Sequence, residues 1–158
     1  MKNAKLLATL AMLLVASSGL HAACTNATLA GTLAGTFGFT TTGVLILPTG
    51  PVPVGAVGLI TFDLNGDASG SQDRSVGGAF ARETFKGSFT INSNCTVSVI
   101  TNVYDTNGNL VRTSTLDGVL DDNGKHVRAI FKSVTLPNGT SLPSVLTIEG
   151  NRVQGHAN

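Results

Sequence analysis

Two charged residues stand where apolar side chains are expected. Glu83 alternates with Phe85, and Arg112 shares a phase with Leu110 and Leu116. A charge turned toward a protein interior is costly unless it is paired or hydrogen-bonded. Two explanations fit the pattern. Either the strand ends emerge into solvent or a bulge flips the phase, or both groups face inward near a barrel mouth and orient the polar group of a ligand. In the second case Phe37, Phe39 and Phe89, inward on their own strands, supply the apolar wall.

Other clusters of polar residues point to turns. Asp63-Leu64-Asn65-Gly66-Asp67-Ala68-Ser69 places oxygen ligands at alternate positions, as the start of a calcium loop does. An EF-hand loop also requires glycine at its sixth position and glutamate at its twelfth, and Ala68 and Arg74 stand there. A hairpin turn accounts for the same residues, and for Asp121-Asp122-Asn123-Gly124, so no metal site is expected. Downstream of residue 22 the histidines are His126 and His156. His126 is out of phase with Val127, Ala129 and Phe131 and is expected to face solvent. No serine lies in a nucleophile-elbow pattern. The sequence therefore marks no catalytic residue and no cofactor motif.

The elements that position these residues are strands. Asn65-Gly66, Asn107-Gly108, Asn123-Gly124 and Asn138-Gly139 separate runs rich in Val, Ile, Thr and Phe. Asn-Gly suits the positive φ angles of a two-residue type I′ hairpin turn. Phe85, Gly87, Phe89 and Ile91 alternate with Lys86, Ser88, Thr90 and Asn92, the pattern of a half-buried strand. Phe37, Phe39, Leu45 and Leu47 share one phase, as do Ile60 and Phe62, and Leu146 and Ile148. Eight segments emerge: 34–47, 54–64, 67–76, 79–92, 95–105, 109–121, 125–136 and 143–153. Pro48, Pro51, Pro53, Pro137 and Pro143 fall outside or at the edges of these segments, and Pro48–Pro53 reads as the one longer loop.

The predicted fold is all-β: an antiparallel up-and-down barrel of about eight strands, whose closure removes exposed edges. A β-sandwich is the alternative, though its Greek-key crossovers need longer links. Gly43, Gly58, Gly87 and Gly150 lie in phase with inward residues, where long barrel strands bend. A lipid-facing barrel needs an apolar outer band with aromatic girdles. The polar second face and the absence of Trp argue against membrane insertion.

The first 22 residues read as a secretory signal. Lys2 and Lys5 precede an apolar run from Leu6 to Ala16, and small residues follow up to Ala22, an order typical of cleaved signals. The run is shorter than the roughly 20 residues that span a bilayer. Cys24 just beyond the junction also allows a lipoprotein signal, but His21 stands where such signals carry Leu. Residues 23–158 then form a single domain, with 23–33 an N-terminal segment and 154–158 a flexible tail. The protein is expected in the periplasm or outside the cell. There Cys24 and Cys95 are expected to form a disulfide, closing a loop of roughly 70 residues and contributing about 4 kcal/mol in the chain-entropy model. With two of the ten Lys and Arg in the signal and nine Asp and Glu elsewhere, the remaining chain is nearly neutral. It has no electrostatic footprint for nucleic acid.

Gly35-Thr36-Phe37-Gly38-Phe39, Gly58-Leu59-Ile60-Thr61-Phe62-Asp63 with Asn65-Gly66, and Phe85-Lys86-Gly87-Ser88-Phe89-Thr90-Ile91 leading to Asn94-Cys95-Thr96 resemble elements of a group of secreted bacterial proteins of unknown function. That resemblance implies fold and secretion. A looser similarity is to calycin-type barrels, the lipocalins and avidins, whose first strand carries Gly-x-Trp; Phe37 stands in place of that Trp. It implies small-molecule binding at the level of the fold. Three functions follow as expectations: an exported binder of a small apolar molecule, an allene-oxide-cyclase-like isomerase, or a structural module that contacts another protein. An eight-stranded barrel can be filled by side chains or hold one small ligand; the six inward Phe favour the first and the inward glycines the second.

Overall fold

The computed structural model describes residues 33–92, 94, 96–121 and 124–153. The predicted signal (1–22), Cys24, Cys95 and the tail 154–158 lie outside the described residues, and with them the disulfide.

Eight strands alternate along the chain: β1 (Gly35–Leu47), β2 (Gly50–Phe62), β3 (Asp67–Val76), β4 (Ala79–Ile91), β5 (Thr96–Tyr104), β6 (Leu110–Asp121), β7 (His126–Thr135) and β8 (Ser144–Arg152). Each pairs antiparallel with the next, and β8 pairs back onto β1, closing the barrel in sequence order. The fold is the up-and-down barrel, not the sandwich. Among the described residues no helix is long and apolar enough to cross a membrane.

Three local features differ from the sequence expectation. The first concerns β2, which starts at Gly50, so the expected loop from Pro48 to Pro53 shrinks to a turn at Pro48 and Thr49. Pro51 and Pro53 lie inside the strand, paired with Ile46 and Val44. The Pro53 carbonyl accepts the Gly77 N–H at 2.9 Å, so this residue's backbone groups face the β3 side, where strand pairing begins only at Val54 and Val76. A missing N–H breaks no ladder bond there, which is how a strand tolerates proline.

The second concerns the hairpin turns, which have three residues where the Asn-Gly pairs suggested two. Asp63 N–H bonds to the Asp67 carbonyl at 3.0 Å, Asp105 to Asn109 at 3.0 Å and Leu136 to Thr140 at 2.8 Å. Gly66, Gly108 and Gly139 close these loops with φ of 92°, 82° and 84°, the pattern of a turn followed by a glycine bulge. In the first two an Asp side chain fastens the turn. Asp63 Oδ1 accepts the N–H of Asn65 (2.8 Å) and Asp67 (2.9 Å), and Asp105 Oδ1 those of Asn107 (2.9 Å) and Asn109 (2.8 Å). The calcium-like run is thus a hairpin whose carboxylate is spent on its own backbone.

The third is in β6, where the pairing shifts between Val103–Arg112 and Tyr104–Leu110, leaving Val111 as an extra residue. Beyond it Arg112, Ser114 and Leu116 point inward in alternation, and Leu110 is exposed.

The interior is layered along the axis. At one end, Leu33, Phe37, Phe62, Phe89, Ile91, Val97 and Leu116 form an apolar plug, with Leu33 fully buried. Phe37 and Phe62 meet edge to face at 5.7 Å, and Phe62 and Phe89 at 5.0 Å. Arg152 lies over the Phe37 ring at 4.9 Å and donates to the Ala34 carbonyl at 2.6 Å, tying the approach to β1 onto the end of β8. Phe39, Phe85 and Val103 form a middle layer, and Val54, Val134, Leu146 and Leu142 line the other end. A Cβ on Gly87 would collide with the Ile100 carbonyl oxygen, and one on Gly43 with that of Val145, so these inward glycines permit close strand approach. Outside, β1 and β2 carry no charged residue.

Candidate functional site in the barrel lumen

Glu83 is turned into the barrel and is 3% exposed. Its neighbours follow from the register. Gln72 sits directly opposite on β3, and Arg74 lies two residues further along the same inward face. β5 ends at Tyr104, paired with Thr84, so it places no strand residue level with Glu83. Arg112 reaches across that gap from β6.

The contacts are dense. Arg112 Nη1 and Nη2 donate to Glu83 Oε1 and Oε2, both at 2.8 Å, as a two-pronged pair. Arg74 donates to Oε1 from Nε at 3.0 Å and from Nη2 at 2.8 Å, and Gln72 Nε2 donates to Oε2 at 2.8 Å. Burial by itself would push the Glu83 carboxyl up. Hydrogen bonds from Arg112 and Arg74, the Arg112 charge and the Gln72 amide outweigh it and hold the carboxyl down at about 2. Glu83 is therefore ionised at any physiological pH, with both oxygens occupied. It is not placed to act as a general base or a nucleophile; it fixes two guanidinium groups. The cluster of two cations and one anion keeps one net positive charge.

The lumen has two compartments that meet at this cluster. The first, a cavity of ≈ 80 Å³ toward the Leu33 end, is walled by Phe37, Phe39, Phe62, Phe85, Val97, Val99, Leu116, Phe131 and Ile148, with Thr101, Ser114, Gln72 and Arg112 as its polar border. The second, of ≈ 160 Å³, lies toward Leu142 and is lined by Leu45, Val54, Val76, Val134 and Leu146 together with Gln72, Arg74 and Arg112. Thr41, Gln72, Arg112 and Phe131 border both. No carboxylate lines either compartment among the described residues. Ser114 is 2% exposed, and its Oγ has no hydrogen-bond partner among the described residues.

The residues marked by the sequence are placed as follows. Phe37, Phe39 and Arg112 line the lumen. Phe89 packs into the plug at the Leu33 end, and Glu83, turned inward and bonded to both arginines, lines neither compartment. His126 is at the barrel rim, with Nδ1 2.8 Å from Asp121 Oδ1. The sequence pattern does not single out Gln72, Arg74, Thr41, Thr101 or Ser114. On β3 (DASGSQDRSV) Gln72 and Arg74 share a phase with Ala68 and Val76, opposite Asp67, Ser69, Ser71, Asp73 and Ser75; two apolar residues at the ends of that face are a weak signal that it points inward. Ser114 lies midway between Arg112 and Leu116, on the inward phase those two residues define.

The fold is similar to solved barrels. The structure of EF1p2_mFAP2b bound to DFHBI has a TM-score of 0.54 at 11% identity, covering 82% of this chain and 100% of that one. A redesigned beta barrel, mFAP1, bound to DFHBI gives 0.48 at 18% identity over 81% and 100%. Rv2717c from M. tuberculosis gives 0.41 at 8% over 82% and 98%. No protein-family model matches the chain, and no curated protein matches it. At 11% identity the likeness to the EF1p2_mFAP2b structure shows the barrel fold alone.

Proposed function

We propose that the protein is an exported barrel that holds a small, largely apolar molecule in its lumen. The observation that carries this reading is the pair of apolar-walled compartments, ≈ 80 and ≈ 160 Å³, meeting at a ring of fixed polar groups. Apolar walls with a few oriented polar groups are the usual make-up of a small-molecule site. A cavity of about 150 Å³ lined by apolar side chains takes up benzene, so the larger compartment suffices for a group of that size. The EF1p2_mFAP2b barrel, bound to DFHBI, and the calycin-like first strand are compatible with the same use.

The test is a thermal shift with octan-1-ol. Binding raises Tm in the wild type and fails to do so in Ala129→Phe and Ile148→Phe, which fill the smaller compartment. Equal shifts in all three count against a lumenal site, as does a wild type that shifts with neither octan-1-ol nor octanoate. Export rests on the signal-like N-terminus. The mature chain then starts at Ala23 with Cys24 bridged to Cys95, in the periplasm or beyond. Mass spectrometry of the processed protein checks this, and free thiols or a lipid adduct on Cys24 would refute it.

A further inference from the structure

The lumen carries more than apolar volume. Among the described residues both of its charged lining residues, Arg74 and Arg112, are cations, and Glu83, the acid that balances one of them, lines neither compartment. Arg112 spends one N–H from each terminal nitrogen on Glu83. A guanidinium has five N–H donors, so three of its N–H groups are not spent on Glu83, and Arg112 borders both compartments. Two residues along the same face of β6, with Cα atoms roughly 7 Å apart by strand geometry, the buried Ser114 hydroxyl lacks a partner among the described residues. Thr101 is directly across from it on β5. A buried hydroxyl without a partner carries a desolvation cost, which an acceptor atom at this point would remove.

Resting on the lumenal reading above, we infer that the occupant is a compact monocarboxylate. Its carboxylate takes N–H donors of Arg112 and the Ser114 hydroxyl where the compartments meet, and its hydrocarbon body lies along the apolar walls. An ionised carboxylate matches the guanidinium donors as neutral polar groups do not. It also balances the one positive charge that Glu83 leaves over. Scaling from benzene in a cavity of about 150 Å³, the two compartments accommodate roughly 10 non-hydrogen atoms. Glu83 is a positioning residue: its paired oxygens hold the Arg112 plane, and it does not touch the ligand.

Octanoate, octan-1-ol and octylamine share one chain and differ in head group, so calorimetric titration of the purified protein with the three separates charge from burial. Octanoate should bind at least tenfold more tightly than octan-1-ol, with octylamine the weakest. Arg112→Gln should erase that preference. Ser114→Ala should weaken octanoate at least threefold without lowering Tm, and this variant decides the matter if Arg112→Gln does not fold. Equal affinity for octanoate and octan-1-ol, or octanoate binding unchanged in Ser114→Ala, overturns the carboxylate assignment and leaves the lumenal reading standing. No binding of any of the three overturns both.

Discussion

Replacing Glu83 with Gln should be among the most damaging conservative substitutions in the barrel. The change removes no volume, but it leaves Arg74 and Arg112, whose side chains are only 23% and 15% exposed, without their shared carboxylate. Removing one partner from a buried ion pair costs about 3–5 kcal/mol. In a domain of this size that corresponds to a fall in Tm of roughly 10–20 °C. The pH dependence gives an independent magnitude. The folded carboxyl titrates at about 2, below its ordinary 4.5. The stabilisation is therefore complete above the ordinary value and is lost as pH falls through about 2. The difference of about two and a half pH units corresponds to about 3 kcal/mol of proton-linked stability. Urea unfolding of wild type and Glu83→Gln at pH 7, 4 and 2 reads both quantities. The gap between the two proteins should be about 3 kcal/mol or more at pH 7 and should close toward pH 2. A gap below about 1 kcal/mol at pH 7, or one that stays constant with pH, would refute the pairing argument.

Replacing the whole cluster should behave differently. Arg74→Met, Glu83→Leu and Arg112→Met together exchange a buried ion network for apolar packing, an exchange that is often neutral or stabilising by about 1–4 kcal/mol. Chemical denaturation should show no net loss, and calorimetry should show that the preference for octanoate has gone. Gly87→Ala would drive a Cβ into the Ile100 carbonyl and should cost about 1–3 kcal/mol. Gly55→Ala, whose Cβ meets nothing within 4 Å, should stabilise by about 0.5–1 kcal/mol; equal Tm changes for the two would contradict the close-approach account. Leu33→Ala, at a fully buried site, should cost about 2–5 kcal/mol, and a loss under 1 kcal/mol by urea titration would mean that this residue does not plug the barrel.

The architecture was readable because a barrel wall has one buried face. The period-two phase of Phe37 and Phe39 on β1, or Phe85, Phe89 and Ile91 on β4, is the burial pattern observed. Where the sequence misled, a local rule met an exception with a physical cause. Pro51 and Pro53 suggested a loop because proline breaks ladders, yet here their nitrogens have no ladder to break. The Asn-Gly pairs suggested two-residue turns, but the Asp63 and Asp105 carboxylates bind backbone N–H groups that only the three-residue form presents. The site was half legible. Glu83 and Arg112 stood out because a charge on an apolar phase is conspicuous. Gln72 and Arg74 did not, since only Ala68 and Val76, at its two ends, mark their face of β3 as apolar. That all four converge depends on β5 ending at Tyr104, a matter of three-dimensional stagger that one strand's pattern does not encode.

A crystal structure of the protein grown with octanoate addresses the hollow lumen most directly. Density for the chain should run along Phe37, Phe39 and Ile148, with a carboxylate oxygen about 3 Å from Arg112 and from Ser114 Oγ. A lumen packed full by its own side chains, with the Ser114 hydroxyl bonded to a protein group, would contradict the account.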